Sequence, residues 1–389
     1  MIPTDDPRWP MYDEVLQRPA FIREHLDALD DLVRATLPRQ ACQRWTQVLL
    51  TGCGDSYYAG LACELAFETC TGLPVDVQPS LQGGRYAIPA MTLPAVVFGV
   101  SHSGQVSRTI EAVALAQARG LDTVAVSGTP GSPITREAAQ VLAHPLQAGG
   151  RTPGVRSYTQ AQLLLILSAI YIGECRGVFD RGQATALKQE LRRTADILEA
   201  GLHETDSAAR ALAEEWREAK QFIVVSGGPN YANALLSAAK LVEACGVNAL
   251  GQELEEWVHI QFFLQSSRLP TLVIAPPGRC SNRALEVVEV MRGLGCLLAI
   301  VGVADDHALM RHAHHYFRIR GTVGEAFSPL LTSMPAELLA CHLAHLTGEP
   351  FFRADGRGVG VGRGRITSSR IMRGLQALAP PFGRRDGDP

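Results

Sequence analysis

Residues 47–70, QVLLTGCGDSYYAGLACELAFETC, decide the fold. An apolar run ends in a turn of small residues, TGCGDS, and a helix-forming stretch follows. The same layout returns at 221–245, QFIVVSGGPNYANALLSAAKLVEAC. Further out, PAVVFGV (94–100) runs into SHSG and then a helical stretch, and DTVAVSG (122–128) follows. In the second half PTLVIAPPG (270–278) echoes the first of these and CLLAIVGVAD (296–305) the second. Three strand–turn–helix steps in one order are read as an internal duplication, about 130 to 140 residues per copy. Such alternation predicts the α/β class: in each copy a doubly wound parallel sheet flanked by helices, as in flavodoxin-like folds.

The expected organisation follows from this pattern. Residues 1–38 form an N-terminal helical segment, with Ile22, Leu26, Leu29 and Leu32 at helical spacing. Residues 39–178 are the first copy, 179–215 a charged helical linker, and 216–347 the second copy. Residues 348–389 are a tail rich in Gly and Arg, its last ten residues expected to be disordered.

Bulk properties exclude several classes. A net charge of -3 gives no reason to expect nucleic acid or an anionic membrane as the partner. The longest apolar stretch, AQLLLILSAIYIG (161–173), is too short to span a bilayer and reads as a buried helix. The N-terminus, MIPTDDPRWP, has neither a basic nor an apolar signal region, so no signal peptide is expected. Nine cysteines without a CxxC pair argue against a disulfide framework and a thiolate zinc site, and a cytoplasmic location is expected.

Ligands of open parallel sheets bind beyond the carboxyl ends of the strands. Two turns lie there in the first copy: Cys53, Gly54, Asp55 and Ser56, and Ser101, His102 and Ser103. Loop N–H groups and hydroxyls at a helix N-terminus suit a phosphate. The same turns also read as small residues placed where nothing larger fits. The second copy's turns, SGGPN (226–230) and APPGRC (275–280), lack the serine pair, so one phosphate site per chain is expected. Lys240 and Glu243, three apart, share a helix face, a pattern that a solvated ion pair also gives. His259 alone reads as structural, and Glu253, Glu255 and Glu256 as a solvated face.

Taken together, these residues resemble the sugar isomerase (SIS) domain family. The resemblance is closest to the isomerase half of glucosamine-6-phosphate synthase (glutamine–fructose-6-phosphate aminotransferase) without its glutaminase domain. The resemblance rests on MYDEVLQRP (11–19), GCGDSYYAG (52–60), SHSGQ (101–105), GVRSYTQAQ (154–162) and the Lys240–Glu243 helix with His259 sixteen residues beyond the Glu. It implies two tandem SIS domains and a cofactor-free phosphosugar isomerase or deaminase. Ser56, Ser101, His102 and Ser103 would hold the phosphate of a hexose 6-phosphate. Cys53, Gly54, Asp55, Val155 and Ser157 would line the sugar. Glu243 would move a proton between C1 and C2 through an enediol or enolamine, with Lys240 holding its charge and position. His259 would help open the sugar ring from the neighbouring subunit of a homodimer. The family's C-terminal Lys is replaced here, with Arg365 the nearest candidate.

The resemblance also has departures. No catalytic Cys follows Met1, so ammonia from glutamine would need a separate glutaminase. Asp55 and Val106 stand where the family has Thr, and His102 where it has Gln; a substrate ammonium would suit Asp55. The expected activity is an aminosugar-phosphate deaminase or isomerase acting on a substrate such as glucosamine 6-phosphate. The alternatives are a ketosamine-phosphate deglycase, an aminotransferase-isomerase fed ammonia by a partner, and a sugar-phosphate-binding regulator without turnover.

Overall fold

The computed structural model describes residues 1–146, 152–264, 268–352 and 369–374. The strands are β1 (Val48–Gly52), β2 (Val75–Pro79), β3 (Val96–Val100), β4 (Asp122–Ser127) and β5 (Gln140–Ala143), then β6 (Gln221–Ser226), β7 (Asn248–Glu253), β8 (Pro270–Ile274), β9 (Leu297–Val303) and β10 (His315–Ile319). They form two five-stranded sheets, ordered β2-β1-β3-β4-β5 and β10-β9-β8-β6-β7. Every pairing is parallel. Read from its β7 edge, the second sheet repeats the order of the first, which is the duplication expected from the sequence. In each sheet the chain reverses direction between its first and third strands, the switch point where such sheets open a crevice.

Burial explains the apolar runs. All five residues of β1, of β3 and of β8 are buried, as central parallel strands covered by helices on both faces must be. In the edge strand β2 only the central Val77 is buried. The helices Asp55–Thr71 and Ser107–Ala118 connect the strands of the first sheet, and Tyr231–Cys245 and Ser281–Gly293 those of the second. The stretch 161–173 lies in the helix Arg156–Arg176, which is buried through most of its length. No helix among the described residues is long and apolar enough to cross a membrane.

One continuous core runs through both copies, from Phe98 and Leu164 to Val224 and Leu338. The 36-residue helix Arg181–Trp216 is no solvated spacer: it packs on Arg18–Thr36, β10 and Met334–Thr347. Its start is set by a capping box in which Asp180 and Gln183 satisfy each other's backbone N–H groups.

The N-terminal segment is two helices, Trp9–Leu16 and Arg18–Thr36, with Ile22, Leu26 and Leu29 fully buried and Leu32 half-buried. Its Arg18 is 2% exposed and forms an ion pair with the wholly buried Glu337 of the C-terminal helix, while donating to Ser333 Oγ at 2.9 Å. Tyr12 donates to Asp206, which also receives His342. Removing one member of a buried pair strands the other charge. Glu337→Ala should therefore cost about 3–5 kcal/mol in urea unfolding, and the double change Arg18→Met with Glu337→Leu markedly less. Equal losses in the two variants would show that the pair does not clamp the termini.

Candidate active site

The site begins at the ends of β1 and β3. After β1 the chain approaches its own helix so closely that a Cβ at Gly52 would lie 2.6 Å from the Ser56 carbonyl carbon. Gly54 turns with φ +57°, a conformation that favours glycine, and Asp55 opens the helix Asp55–Thr71. After β3, Ser101 N–H donates to Val126 and Gly104 N–H to Ser101. The His102 carbonyl accepts from Ser127 Oγ, Thr129 Oγ1 and Gly128 N–H, which fixes the loop.

Between these turns lies a cavity of about 300 Å³. Its wall includes Cys53, Gly54, Asp55, Ser56, Ser101, His102, Ser103, Ser157 and Glu243. Three helices, Asp55–Thr71, Ser107–Ala118 and Arg156–Arg176, begin at this wall, so the positive ends of their dipoles lie beside it; at the third, Glu14 already accepts from the Arg156 N–H at 3.2 Å. Among the described residues, Ser101 Oγ is buried beside the cavity without a hydrogen-bond partner. Among the described residues no Lys or Arg lines the cavity. An anion such as a phosphate ester would meet helix termini and hydroxyls among the described residues of this wall.

The other end of the cavity belongs to the second copy. Lys240 is fully buried in the helix Tyr231–Cys245. Its Nζ lies 2.6 Å from Asp55 Oδ2 and 2.7 Å from Glu243 Oε2, both partly exposed. Burial disfavours the ammonium, but the two carboxylates outweigh it and raise its pKa. The Asp55 oxygen nearest Lys240 is thus engaged by the protein's own cation. The His102 side chain keeps an exposed face at the cavity wall; partial loss of water there pushes its pKa down against the pull of Asp55, so the neutral ring prevails at pH 7.

Three expected residues lie elsewhere. The Val155 side chain is fully buried in the core, and Gly154 and Ser157 form the wall at that point. Val155 begins the helix Arg156–Arg176, and its apolar side chain turns inward with that helix. His259 ends the short helix Leu254–His259 on the surface of the second copy, 67% exposed and 3.5 Å from Glu255, away from this cavity. Arg365 lies outside the described residues, as do the last ten residues.

Other wall residues went unassigned in the sequence. Ser127 and Gly128 end β4 and follow the same strand-end logic as the two turns that were read. Thr152, Tyr158, Gln160 and Phe352 had no local signal. Phe352 N–H donates to the Glu243 carbonyl at 2.8 Å and closes that side.

The second copy's own switch point holds a different structure. Glu325 Oε1 accepts from Arg279 N–H at 2.8 Å, and a Cβ at Gly278 would meet it at 2.3 Å. A carboxylate of the chain thus occupies the turn that corresponds to SHSG. The neighbouring cavity carries Glu64, Glu68 and Glu325, with burial raising Glu64 to about 7.

Residues 42–170 match the family model described as the SIS domain, so the first sheet and its helices are an SIS domain. Glutamine–fructose-6-phosphate aminotransferase [isomerizing] of Methanothermobacter thermautotrophicus is 27% identical over 337 residues, 86% of this chain and 54% of that protein. The chain thus spans about half the length of the curated relatives it matches. Two solved structures share the fold. One is the C-terminal domain of glucosamine-fructose-6-phosphate aminotransferase from Francisella tularensis, with TM-score 0.75, 18% identity, and coverage of 88% of this chain and 98% of that one. The other is glucosamine-6-phosphate deaminase from Thermotoga maritima, with TM-score 0.68, 16% identity, and coverage of 87% and 95%.

The cavity makes a prediction of stoichiometry. Calorimetry with fructose 6-phosphate should give one site per chain, in the first copy. Gly104 has φ +62°, and a Cβ there would lie 1.9 Å from Ser132 Oγ. Gly104→Ala should therefore weaken binding at least about tenfold. Undiminished affinity would place the anion elsewhere.

Proposed function

We propose that this SIS-domain chain is a phosphosugar isomerase that acts as an aminosugar-phosphate deaminase on a hexose 6-phosphate such as glucosamine 6-phosphate. One observation carries the reading: a carboxylate from the second copy, Glu243, faces the same cavity as the first copy's serine-lined helix termini. An anion cradle and a candidate base on the wall of one cavity suit an open-chain sugar phosphate. The fold likeness to a glucosamine-6-phosphate deaminase supports the choice of substrate.

In this reading Ser56, Ser101 and Ser103 hold the phosphate, and His102 borders it as a neutral ring. Cys53, Gly54 and Ser157 lie along the sugar. Glu243 takes the proton from C2 of the open-chain aldose; the C2–H electrons form the C1–C2 double bond, the carbonyl pair moves to O1, and O1 takes up a proton equivalent to the one the C2 amine gives up as the imine forms. The proton returns to C1, leaving an imine at C2. Water adds to C2, the C2–N bond breaks, and the products are fructose 6-phosphate and ammonia. Lys240 keeps the carboxylate aimed, and the helix termini stabilise the phosphate throughout.

His259 enters from a second copy of the chain. Its own surface supports this: Ile260, Phe263 and Leu264, next to it, are 53%, 70% and 61% exposed. An apolar patch beside a histidine suits an interface that delivers the ring to a neighbour's cavity.

Proton NMR in deuterated water over a sugar-phosphate panel tests the chemistry. Glucosamine 6-phosphate should exchange at C1 or C2 and release ammonia, and Glu243→Gln should slow both about 10²–10⁴-fold. An amino acid released in place of ammonia would replace the reading with deglycation. Tight binding without exchange would replace it with a regulator. Complementation tests the dimer. Mixing inactive Glu243→Gln and His259→Asn chains under exchange should restore about a quarter of wild-type activity, because half of the dimers carry one intact shared site. No recovery would confine the site to one chain.

A further inference from the structure

We propose that Asp55 is a positioning residue: pairing with Lys240 across the junction of the two copies, it keeps that buried ammonium charged and directed at Glu243. The inference rests on the reading of Glu243 as the base, and it adds a role to a residue of the sugar-lining turn.

The geometry carries it. Asp55 comes from the turn after β1 and Lys240 from a helix of the second copy, 185 residues away. The Asp55–Thr71 and Tyr231–Cys245 helices pack directly together, so the pair sits where the two copies meet. Lys240 has no exposure, and its hydrogen bonds from Nζ run to Asp55 and Glu243. With Glu243 alone, one carboxylate would have to offset the full desolvation of the ammonium. With Asp55 in place the charge is held from both sides, and Lys240 stays a proton-saturated anchor while Glu243 gains and loses its proton. Asp55 is itself well seated. It lies in the first turn of its helix, where the dipole favours a carboxylate, and glycine at 154 keeps the backbone clear of Asp55 Oδ2, which a Cβ would approach to 3.1 Å. The other titratable groups that sense this cluster are Tyr58 on the helix of Asp55, Tyr158 on the Arg156–Arg176 helix, and His102 on the loop after β3. None of the three is a cation at neutral pH, so none substitutes for Lys240. The pair also changes what Asp55 does for a substrate. Its Oδ2 is committed to Lys240, so the residue acts by setting the charge state of the junction and not by greeting a substrate ammonium with that oxygen.

The sequence makes the test direct, because the chain holds only three lysines, Lys188, Lys220 and Lys240. Labelling lysine at Cε with carbon-13 gives three side-chain signals, and Lys188→Arg with Lys220→Arg leaves that of Lys240 alone. In this background the Lys240 signal should show no titration up to about pH 10.5, the ordinary lysine midpoint. Asp55→Asn should bring its midpoint down by at least about one pH unit, and Asp55→Glu should restore it. Asp55→Ser serves as the uncharged variant should the Asn protein fail to fold. A midpoint in the uncharged variant that stays as high as in the wild type overturns the proposal.

The second readout is solvent exchange with the sugar phosphate. The uncharged variant should lower kcat at least about tenfold at pH 8 with a smaller change in KM, and its alkaline limb should move to lower pH together with the NMR midpoint. Unchanged exchange would overturn the positioning role. The NMR signal needs no substrate, so the two ideas fail separately. Full exchange by Glu243→Gln with a shifted Lys240 midpoint sinks the assignment of the base. Loss of exchange in Glu243→Gln with an unshifted midpoint sinks the role of Asp55.

Discussion

A lysine with no exposure needs its counter-charges in place before the chain can close around it. Lys240 is that lysine, and its partners come from opposite halves of the chain: Glu243 one turn along its own helix, Asp55 from the first copy. Leaving the ammonium unpaired would cost several kcal/mol, a large part of the stability of a typical domain. The pairing therefore constrains more than itself. It sets how the Tyr231–Cys245 helix lies against the N-terminus of the Asp55–Thr71 helix, and with that the distance between Glu243 and the serine-lined turns. Tyr158 repeats the constraint close by, donating to Asn233 Oδ1 at 2.7 Å in the buried seam between the copies.

The two copies share a topology and differ at their switch points. In the first, hydroxyls and helix termini surround an open cavity. In the second, the Glu325 carboxylate is bound by the backbone N–H of Arg279, much as an external anion would be. A turn built to offer N–H groups needs an acceptor, and the second copy carries its own. The second copy's contribution to the first copy's cavity comes instead from its helix face, which carries Lys240 and Glu243. A duplicated fold thus places cradle and carboxylate in one cavity by pressing two unlike copies together.

The fold could be read from sequence because each cue was local. A buried parallel strand is an unbroken apolar run, its turn is small, and its helix follows within a few residues, so QVLLTGCGDS and QFIVVSGGPN showed both sheets and their repetition. The loop residues Ser56, Ser101, His102 and Ser103 were visible for the same reason, since position after a strand decides where they point. What could not be read depends on distance along the chain. Nothing in YYAGLACELAF announces that Asp55 meets Lys240, and nothing around Phe352 announces its bond to the Glu243 carbonyl. Val155 shows a subtler limit: its neighbours Gly154 and Ser157 line the cavity, but a helix begins there and its rotation turns the valine into the core. His259 was named from a resemblance, and within one chain it stands on an exposed surface beside exposed apolar residues.

The cavity's means of holding an anion bears on its chemistry. An arginine set in the wall to bind phosphate would share the cavity with the carboxylates and could compete for them, because a guanidinium stays charged and pairs readily with carboxylates. Helix termini and hydroxyls exert their pull over a single turn and carry no mobile charge. Among the described residues the junction's cation is placed behind the carboxylates, fully buried, and not in the wall. In the proposed reading, attraction for the anion and control of the carboxylate are thus separated: dipoles act from the first copy's strand ends, and a buried ammonium acts from the second copy's helix. That separation needs two sheets in fixed contact, which is why the continuous core from Phe98 to Leu338 belongs to the site as much as its serines do.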